Sequence, residues 1–204
     1  MDKKQIKKTL KKIWDFIWHS NSIWSWIVNI ILAFIIIKFL VYPGLGLVLG
    51  TSHPIVAVVS ESMEHDGNFD QWWAEQQDWY QEHNITKEEF QGFSYRNGFN
   101  KGDIMILVKK NPTKTEVGDI LVFDSQQANP IIHRIVKKWQ VNDQWHFQTK
   151  GDHNRDSIGL SSVNEEDINE DRIIGQATLK VPLLGWIKII FVDYIVQPIA
   201  NIFR

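Results

Sequence analysis

Residues 101–136 read KGDIMILVKKNPTKTEVGDILVFDSQQANPIIHRIV. Three runs within them, Ile104–Val108, Ile120–Phe123 and 131–136, are short, rich in β-branched and aromatic residues, and bounded by Gly, Pro, Asn and Asp. That is the punctuation of strands. Gly102-Asp103 and Gly118-Asp119 mark the turns that lead into two of them. Outward from this stretch, residues 54–59 (PIVAVV), 145–149 and 173–179 have the same character. Short strands at such regular spacing predict a mainly β domain over residues 51–180, an all-β barrel or a sandwich-like sheet.

Residues 64–100 break the strand pattern. Residues 70–83, DQWWAEQQDWYQEH, are acidic and aromatic, and Thr86 precedes Glu89 by three positions in TKEEF. The second spacing is that of a capping box. Two short helices inserted between strands are expected here. No repeat of 20–50 residues recurs along the chain.

Upstream of the β domain, residues 1–22 carry Lys3, Lys4, Lys7, Lys8, Lys11 and Lys12, interleaved with Ile6, Leu10, Ile13, Trp14, Ile17 and Trp18. This spacing puts lysine on one helical face and apolar groups on the other, as in a helix lying on an anionic membrane surface. Residues 23–42 follow, interrupted only by Ser25, Asn29 and Lys38. Twenty helical residues span about 30 Å, the thickness of a hydrocarbon core. Pro43, Gly44 and Gly46 are expected to end this transmembrane anchor. Lysine before the span, and none between Lys38 and Lys87, keeps residues 1–22 cytoplasmic and the β domain on the outer face. The chain closes on apolar residues 181–204, interrupted by Pro182, Lys188, Asp193 and Pro198. They read as an interfacial segment or a second span.

Composition narrows the chemistry. The 204 residues contain no cysteine, which excludes structural disulfides, thiolate zinc sites and a cysteine nucleophile. A formal net charge of -2 supplies no basic field for nucleic acid. Ten tryptophans suit a protein that works at a membrane interface.

Three segments concentrate reactive side chains. Ser60-Glu61-Ser62-Met63 follows the PIVAVV run, and a serine there needs a neighbouring base to become a nucleophile. His133 and Arg134 lie inside an otherwise apolar strand, where a histidine can accept a hydroxyl proton at neutral pH. Residues 149–156, TKGDHNRD, form a tight polar loop whose aspartates could hold the imidazole in one tautomer.

In order, SESM (60–63), KGDI and VGDI (101–104 and 117–120), IIHRIV (131–136) and TKGDHN (149–154) resemble the boxes of type I signal peptidases, in the archaeal and endoplasmic-reticulum branch. GQATLKVPLLGW (175–186) resembles the closing strand and turn of that family's domain. The resemblance covers roughly residues 20–190 and implies roles. Ser62 would be the nucleophile and His133 the base, where the bacterial branch uses lysine. Ser60 with the Ser62 backbone N–H would form the oxyanion site, and Asp156 or Asp152 would complete the triad. No cofactor or metal is implied. The implied partners are signal peptides of exported preproteins, the lipid bilayer and protein translocation machinery, and the implied location is an archaeal cell membrane or the endoplasmic reticulum, with the archaeal setting preferred.

Three departures accompany the resemblance. The first box continues Met63-Glu64-His65 rather than Met-x-Pro. The loop reads Gly-Asp-His-Asn rather than Gly-Asp-Asn-Asn. The position that usually carries the family's second aspartate is Ile158. Two other classes compete with this one. A self-cleaving repressor-type protease would use a lysine base and a DNA-binding domain. An inactive membrane scaffold would keep the fold but hold Ser62 and His133 beyond the reach of about 3 Å that proton transfer needs.

Overall fold

The computed structural model describes residues 2–125, 127, 129–159 and 162–192. The chain divides into two units, Met1–Val48 and Leu49–Arg204.

In the first unit, α1 (Lys3–His19) is capped by the Asp2 side chain and buries none of its residues. Helix α2 (Ile23–Ile36) is capped by Ser22. Two of the polar residues that interrupt the apolar run serve α1. Ser25 Oγ donates to the Phe16 carbonyl at 2.6 Å, and Asn29 Nδ2 donates to the Ile17 carbonyl at 2.9 Å. These are last-turn carbonyls with no partner inside α1. The helix does not stop at Pro43 as expected. A π turn over Ile37–Val41 leads into α3 (Tyr42–Leu49). Pro43, which has no N–H to give, stands just after this π turn, where the i→i−4 pattern is already interrupted. The stop comes at Gly50, whose φ of +68° is the left-handed conformation of a helix C-terminus. Among the described residues, Ile23–Leu49 is the one helix long and apolar enough to cross a membrane.

The second unit is a seven-stranded antiparallel sheet in the order β1-β2-β7-β3-β4-β5-β6. Its strands are β1 (Ile55–Ala57), β2 (Ile104–Val108), β3 (Ile120–Phe123), β4 (Ile131–Val141), β5 (Gln144–Lys150), β6 (Ile168–Asn169) and β7 (Ile173–Val181). Register shifts at Ile106/Leu107, Val122/Phe123 and Ile135/Lys137 curl it. Inward-facing Val56, Met105, Leu107, Ile120, Val122 and Ala177 build one core with Met63 and Phe99. Leu121, Phe123, Ile135, Phe147 and Ile168 build another. Strand β4 runs five residues beyond the expected end, through an Asn142-Asp143 turn with both φ positive, into β5. Paired positive φ values match the right-handed twist of a hairpin.

Between β1 and β2 lie α4 (Phe69–Glu82) and α5 (Lys87–Gln91), each opened by a capping box: Asn68 with Gln71, and Thr86 with Glu89. Trp72, Trp73, Tyr80, Ile85 and Phe90 bury themselves together with Val136 of β4. The aromatic insert is therefore a core of its own, packed on the sheet.

After β7 comes α6 (Trp186–Phe191), whose Trp186 ring packs on the Gly102 turn so closely that a Cβ there would have no room. Across β1, β2 and β7 the outward positions are also apolar. Ile55, Ile106 and Leu179 form one row and Ala57, Ile104 and Val181 the next. Leu183, Leu184, Ile187, Ile190 and Phe191 are exposed beside them. The expected C-terminal segment 181–204 lies outside the described residues from 193 onward.

Candidate active site

The segment after β1 stays tied to the turn before β2. Val58 N–H donates to the Asp103 carbonyl and Gly102 N–H to the Val58 carbonyl, both at 2.9 Å. The chain then turns at residues 60–63, with Met63 fully buried as the plug beneath. That turn carries Ser62 toward β4. Ser62 Oγ lies 2.8 Å from His133 Nε2. His133 pairs with Leu121 of β3 and is 3% exposed, so its backbone is held by the sheet and its ring is buried. Ser60 Oγ lies 3.1 Å from Ser62 Oγ.

The other ring nitrogen, His133 Nδ1, makes a close contact with Glu165 Oε1. Glu165 is fully buried. The same Oε1 accepts from Thr149 Oγ1 at 3.1 Å, and Oε2 accepts from the Ile158 N–H at 2.8 Å. The Glu165 backbone is pinned as well, N–H to the Ile158 carbonyl at 2.9 Å and carbonyl to the Thr149 N–H at 3.0 Å. A buried carboxylate must be satisfied by such donors to remain charged. Hydroxyl, imidazole and carboxylate thus stand in line.

Asp152 and Asp156, the aspartates named from sequence, are engaged elsewhere. Asp152 Oδ1 accepts from Arg134 Nε at 2.9 Å and from the Tyr80 hydroxyl at 3.0 Å. Its Oδ2 accepts from an Arg134 terminal nitrogen at 2.7 Å and pairs with His65 Nε2 at 2.9 Å. Burial alone would raise the Asp152 pKa, but the Arg134 charge and the bonds from His65 and Arg134 hold it well below the usual carboxylate range. The same burial, together with the Asp152 charge, pushes the Tyr80 hydroxyl well up. Asp156 Oδ1 accepts from the Trp79 indole at 2.8 Å and the Ser157 N–H at 2.7 Å. Arg134 spends its remaining N–H groups on the carbonyls of Ser94, Tyr95 and Gly118. The two aspartates therefore tie the loop to the insert, and the carboxylate at His133 is Glu165.

The 151–154 loop closes over the pair. A Cβ on Gly151 would lie 2.7 Å from the Ser62 carbonyl and 2.8 Å from His133 Nε2. His153 N–H donates to the Ser62 carbonyl at 2.9 Å. Lys150, also fully buried, donates to Gln76 Oε1 at 3.0 Å and the Gly151 carbonyl at 3.2 Å. Burial lowers its pKa to about 8, against the opposing charges of Asp152, Asp156 and Glu165. Among the described residues no group of three or more His, Cys, Asp or Glu is arranged to hold a metal ion.

Glu165, His65 and the full engagement of Arg134 were not legible in the sequence. Glu165 begins an acidic run, EED at 165–167, that reads as solvated surface. Its one signal is indirect. Ile158, where the resemblance lacks its second aspartate, donates its N–H to the Glu165 carboxylate.

A serine hydroxyl on imidazole Nε2, with a buried carboxylate on Nδ1, is the arrangement found in serine hydrolases. No protein-family model matches the chain. It is similar to the "Signal peptidase complex catalytic subunit SEC11" of Colletotrichum graminicola, 28% identical over 160 residues, covering 76% of this chain and 74% of that one. The proteins of the same name from Scheffersomyces stipitis, 27% identical over 158 residues (76% and 75%), and Fusarium vanettenii, 26% identical over 159 residues (76% and 74%), are similar to it as well.

Proposed function

We propose that the chain is a membrane-anchored serine endopeptidase that removes signal peptides from exported preproteins, with Ser62 as nucleophile and His133 as general base. The observation that carries this reading is the 2.8 Å separation of Ser62 Oγ and His133 Nε2, with Glu165 on Nδ1. It meets the reach of about 3 Å that separates an enzyme from an inactive scaffold. The similarity to signal peptidase catalytic subunits supplies the substrate class.

In this reading His133 takes the Ser62 proton as Oγ attacks the scissile carbonyl. Glu165 keeps the second ring proton on Nδ1, so that Nε2 presents its lone pair to serine. Ser60 and the Ser62 N–H stabilise the oxyanion. His133 gives the proton taken from Ser62 to the leaving nitrogen as the C–N bond breaks and the mature protein departs; the freed imidazole then takes a proton from water, which cleaves the Ser62 ester, releases the signal peptide and leaves the proton on Ser62 Oγ. Among the described residues strand β1 is an edge of the sheet shortly before Ser62, and an extended substrate adding to it would bring its scissile bond toward the nucleophile. The basic α1, the apolar Ile23–Leu49 helix and the apolar outer face of β1, β2 and β7 support a membrane location with residues 1–22 cytoplasmic. The similar proteins above are fungal and are named as subunits of a complex; they lend no weight to an archaeal membrane and favour partner subunits. Contact with translocation machinery is part of the same proposal.

The test is preprotein processing in membranes by the wild-type chain and by Ser62→Ala and His133→Ala. Loss of cleavage in both is expected. Undiminished processing by a folded Ser62→Ala protein refutes the reading.

A further inference from the structure

His65 has no place in the proton path from Ser62 through His133 to Glu165, yet its side chain is only 3% exposed. Its Nε2 meets Asp152 Oδ2 at 2.9 Å. Its ring lies flat on Trp72 of α4, with centroids 3.7 Å apart and planes 3° from parallel. Its Nδ1 is buried without a hydrogen-bond partner. Facing a carboxylate, which can only accept, Nε2 carries a proton and donates it to Asp152.

This bond fastens three segments at one point. His65 stands three residues after Ser62 in the same turn. Asp152 follows Gly151, the residue that contacts both Ser62 and His133. Arg134, which holds both Asp152 oxygens, follows His133 on β4. The insert then closes from above. Trp72 covers His65 with its face and donates its indole N–H to the Asp152 carbonyl at 3.2 Å. Phe99, at the end of the insert, donates its N–H to the Met63 carbonyl at 3.0 Å. Trp72, Trp73, Tyr80 and Phe90 of the insert are buried together beneath this contact.

Resting on the proposed Ser62–His133 pair, we infer that His65 is a positioning residue. Through Asp152 it sets the separation of the Ser62 turn and the Gly151 loop, and the helical insert is the brace that keeps it there. Without the His65 bond, Asp152 retains Arg134 and Tyr80, so the loop stays folded on β4. What it loses is the tie from its own side chain to the nucleophile's turn, leaving the Asp152 N–H on Met63 Sδ at 3.4 Å and the exposed His153–Asp66 pair at 3.7 Å as the side-chain contacts between the two segments. Misplacing a reacting group by about 1 Å costs on the order of 100-fold in rate.

The experiment uses the full chain in detergent micelles with a peptide spanning a signal-peptide cleavage site. His65→Leu removes the donor. His65→Gln restores an N–H donor near the position of Nε2. His65→Asn is polar but too short to reach Asp152, and serves if the leucine variant does not fold. A kcat lowered on the order of 10–100-fold, with KM changed less than about threefold, is expected for Leu and Asn, and most of the loss is recovered in Gln. Hydrogen exchange at the His153 amide, which donates to the Ser62 carbonyl, is expected to quicken in Leu and Asn and return toward wild type in Gln. Wild-type exchange at His153 in a folded Leu or Asn variant overturns the inference, as does equal loss of kcat in Gln and Leu. If the wild-type chain cleaves nothing, the proposed function fails by itself, and the exchange measurement still decides the role of His65 in holding the turn.

Discussion

Replacing Glu165 by glutamine tests the site at the point where the carboxylate meets the imidazole. The carboxylate accepts on both oxygens, from His133 Nδ1 and Thr149 Oγ1 at Oε1 and from the Ile158 N–H at Oε2. An amide has one acceptor end and one donor end. With its oxygen toward His133, its NH₂ faces the Ile158 N–H, a fixed backbone donor. With its NH₂ toward His133, the imidazole must turn to the tautomer that carries its proton on Nε2. That tautomer presents an N–H to Ser62 instead of a lone pair, and the serine proton has nowhere to go. Ile158 cannot rotate its donor away, whereas the imidazole can change tautomer, so the second orientation wins. The same failure in a serine-protease triad lowers kcat by about 10⁴. Here we expect about 10³–10⁴-fold, or roughly 4–5.5 kcal/mol of transition-state free energy. KM should stay within about threefold, because no substrate contact changes. The measurement is single-turnover cleavage of a preprotein by Glu165→Gln beside Asp156→Asn, which should stay near wild type. A folded Glu165→Gln enzyme within about threefold of wild-type kcat, or an Asp156→Asn enzyme that loses more than it does, refutes the assignment.

Two further perturbations follow from the loop. Gly151→Ala puts a methyl 2.7 Å from the Ser62 carbonyl and 2.8 Å from His133 Nε2; kcat of the folded variant should fall at least about 100-fold, and a fully active alanine variant contradicts the close approach. Lys150 supplies a pH dependence. Its pKa is lowered by burial from 10.5 to about 8, so between those values the unfolded chain binds the extra proton and the folded chain does not. Stability of the second unit should therefore rise with pH from about 8 toward 10.5, by at most about 3 kcal/mol. Lys150→Met should remove that rise in denaturant unfolding measured across the range, and an identical slope in both proteins counts against a buried, destabilised ammonium.

The fold was legible because its signals are local. Six of the seven strands carry their own run of β-branched or aromatic residues with turn residues at its ends, Thr86 with Glu89 announces a helix start from three residues away, and only the two-residue β6 went unread. What was missed is local where the usual punctuation misleads, and elsewhere needs contacts between distant parts of the chain. The end of the apolar helix was misjudged at Pro43, because a π turn before it lets the chain continue to Gly50. The β4–β5 hairpin was cut short, because its Asn142-Asp143 turn lacks the glycine that usually advertises such a turn. Ser62 and His133 stand in short boxes with recognisable neighbours. Glu165 does not, because an orienting carboxylate has only to reach Nδ1, and any loop that arrives there can supply it. Asp152 was a reasonable candidate by composition of its loop, but the adjacent Arg134 is a stronger partner for a buried carboxylate than a neutral imidazole, and it takes both oxygens.

That freedom of the third residue leads to a rescue experiment. Ile158 holds the position at which the resemblance leads one to expect an aspartate, and its N–H is one hydrogen bond from the carboxylate that meets His133. Two hydrogen bonds and one carboxylate span about 7 Å at most, so an aspartate side chain rooted at 158 is short of Nδ1 only by what a small shift of the 158–165 loop can supply. Glu165→Ala empties the space the carboxylate filled and leaves Thr149 Oγ1 free to donate to a newcomer. Adding Ile158→Asp to Glu165→Ala should therefore recover at least about tenfold of the lost kcat, while Ile158→Asp alone, placing two carboxylates side by side, should lower activity or stability. Such a reversal of sign between backgrounds is what two routes to one imidazole nitrogen require. A double variant that folds yet cleaves no faster than Glu165→Ala shows that the 158 position cannot serve His133, and that the Glu165 route is built into the backbone of this chain.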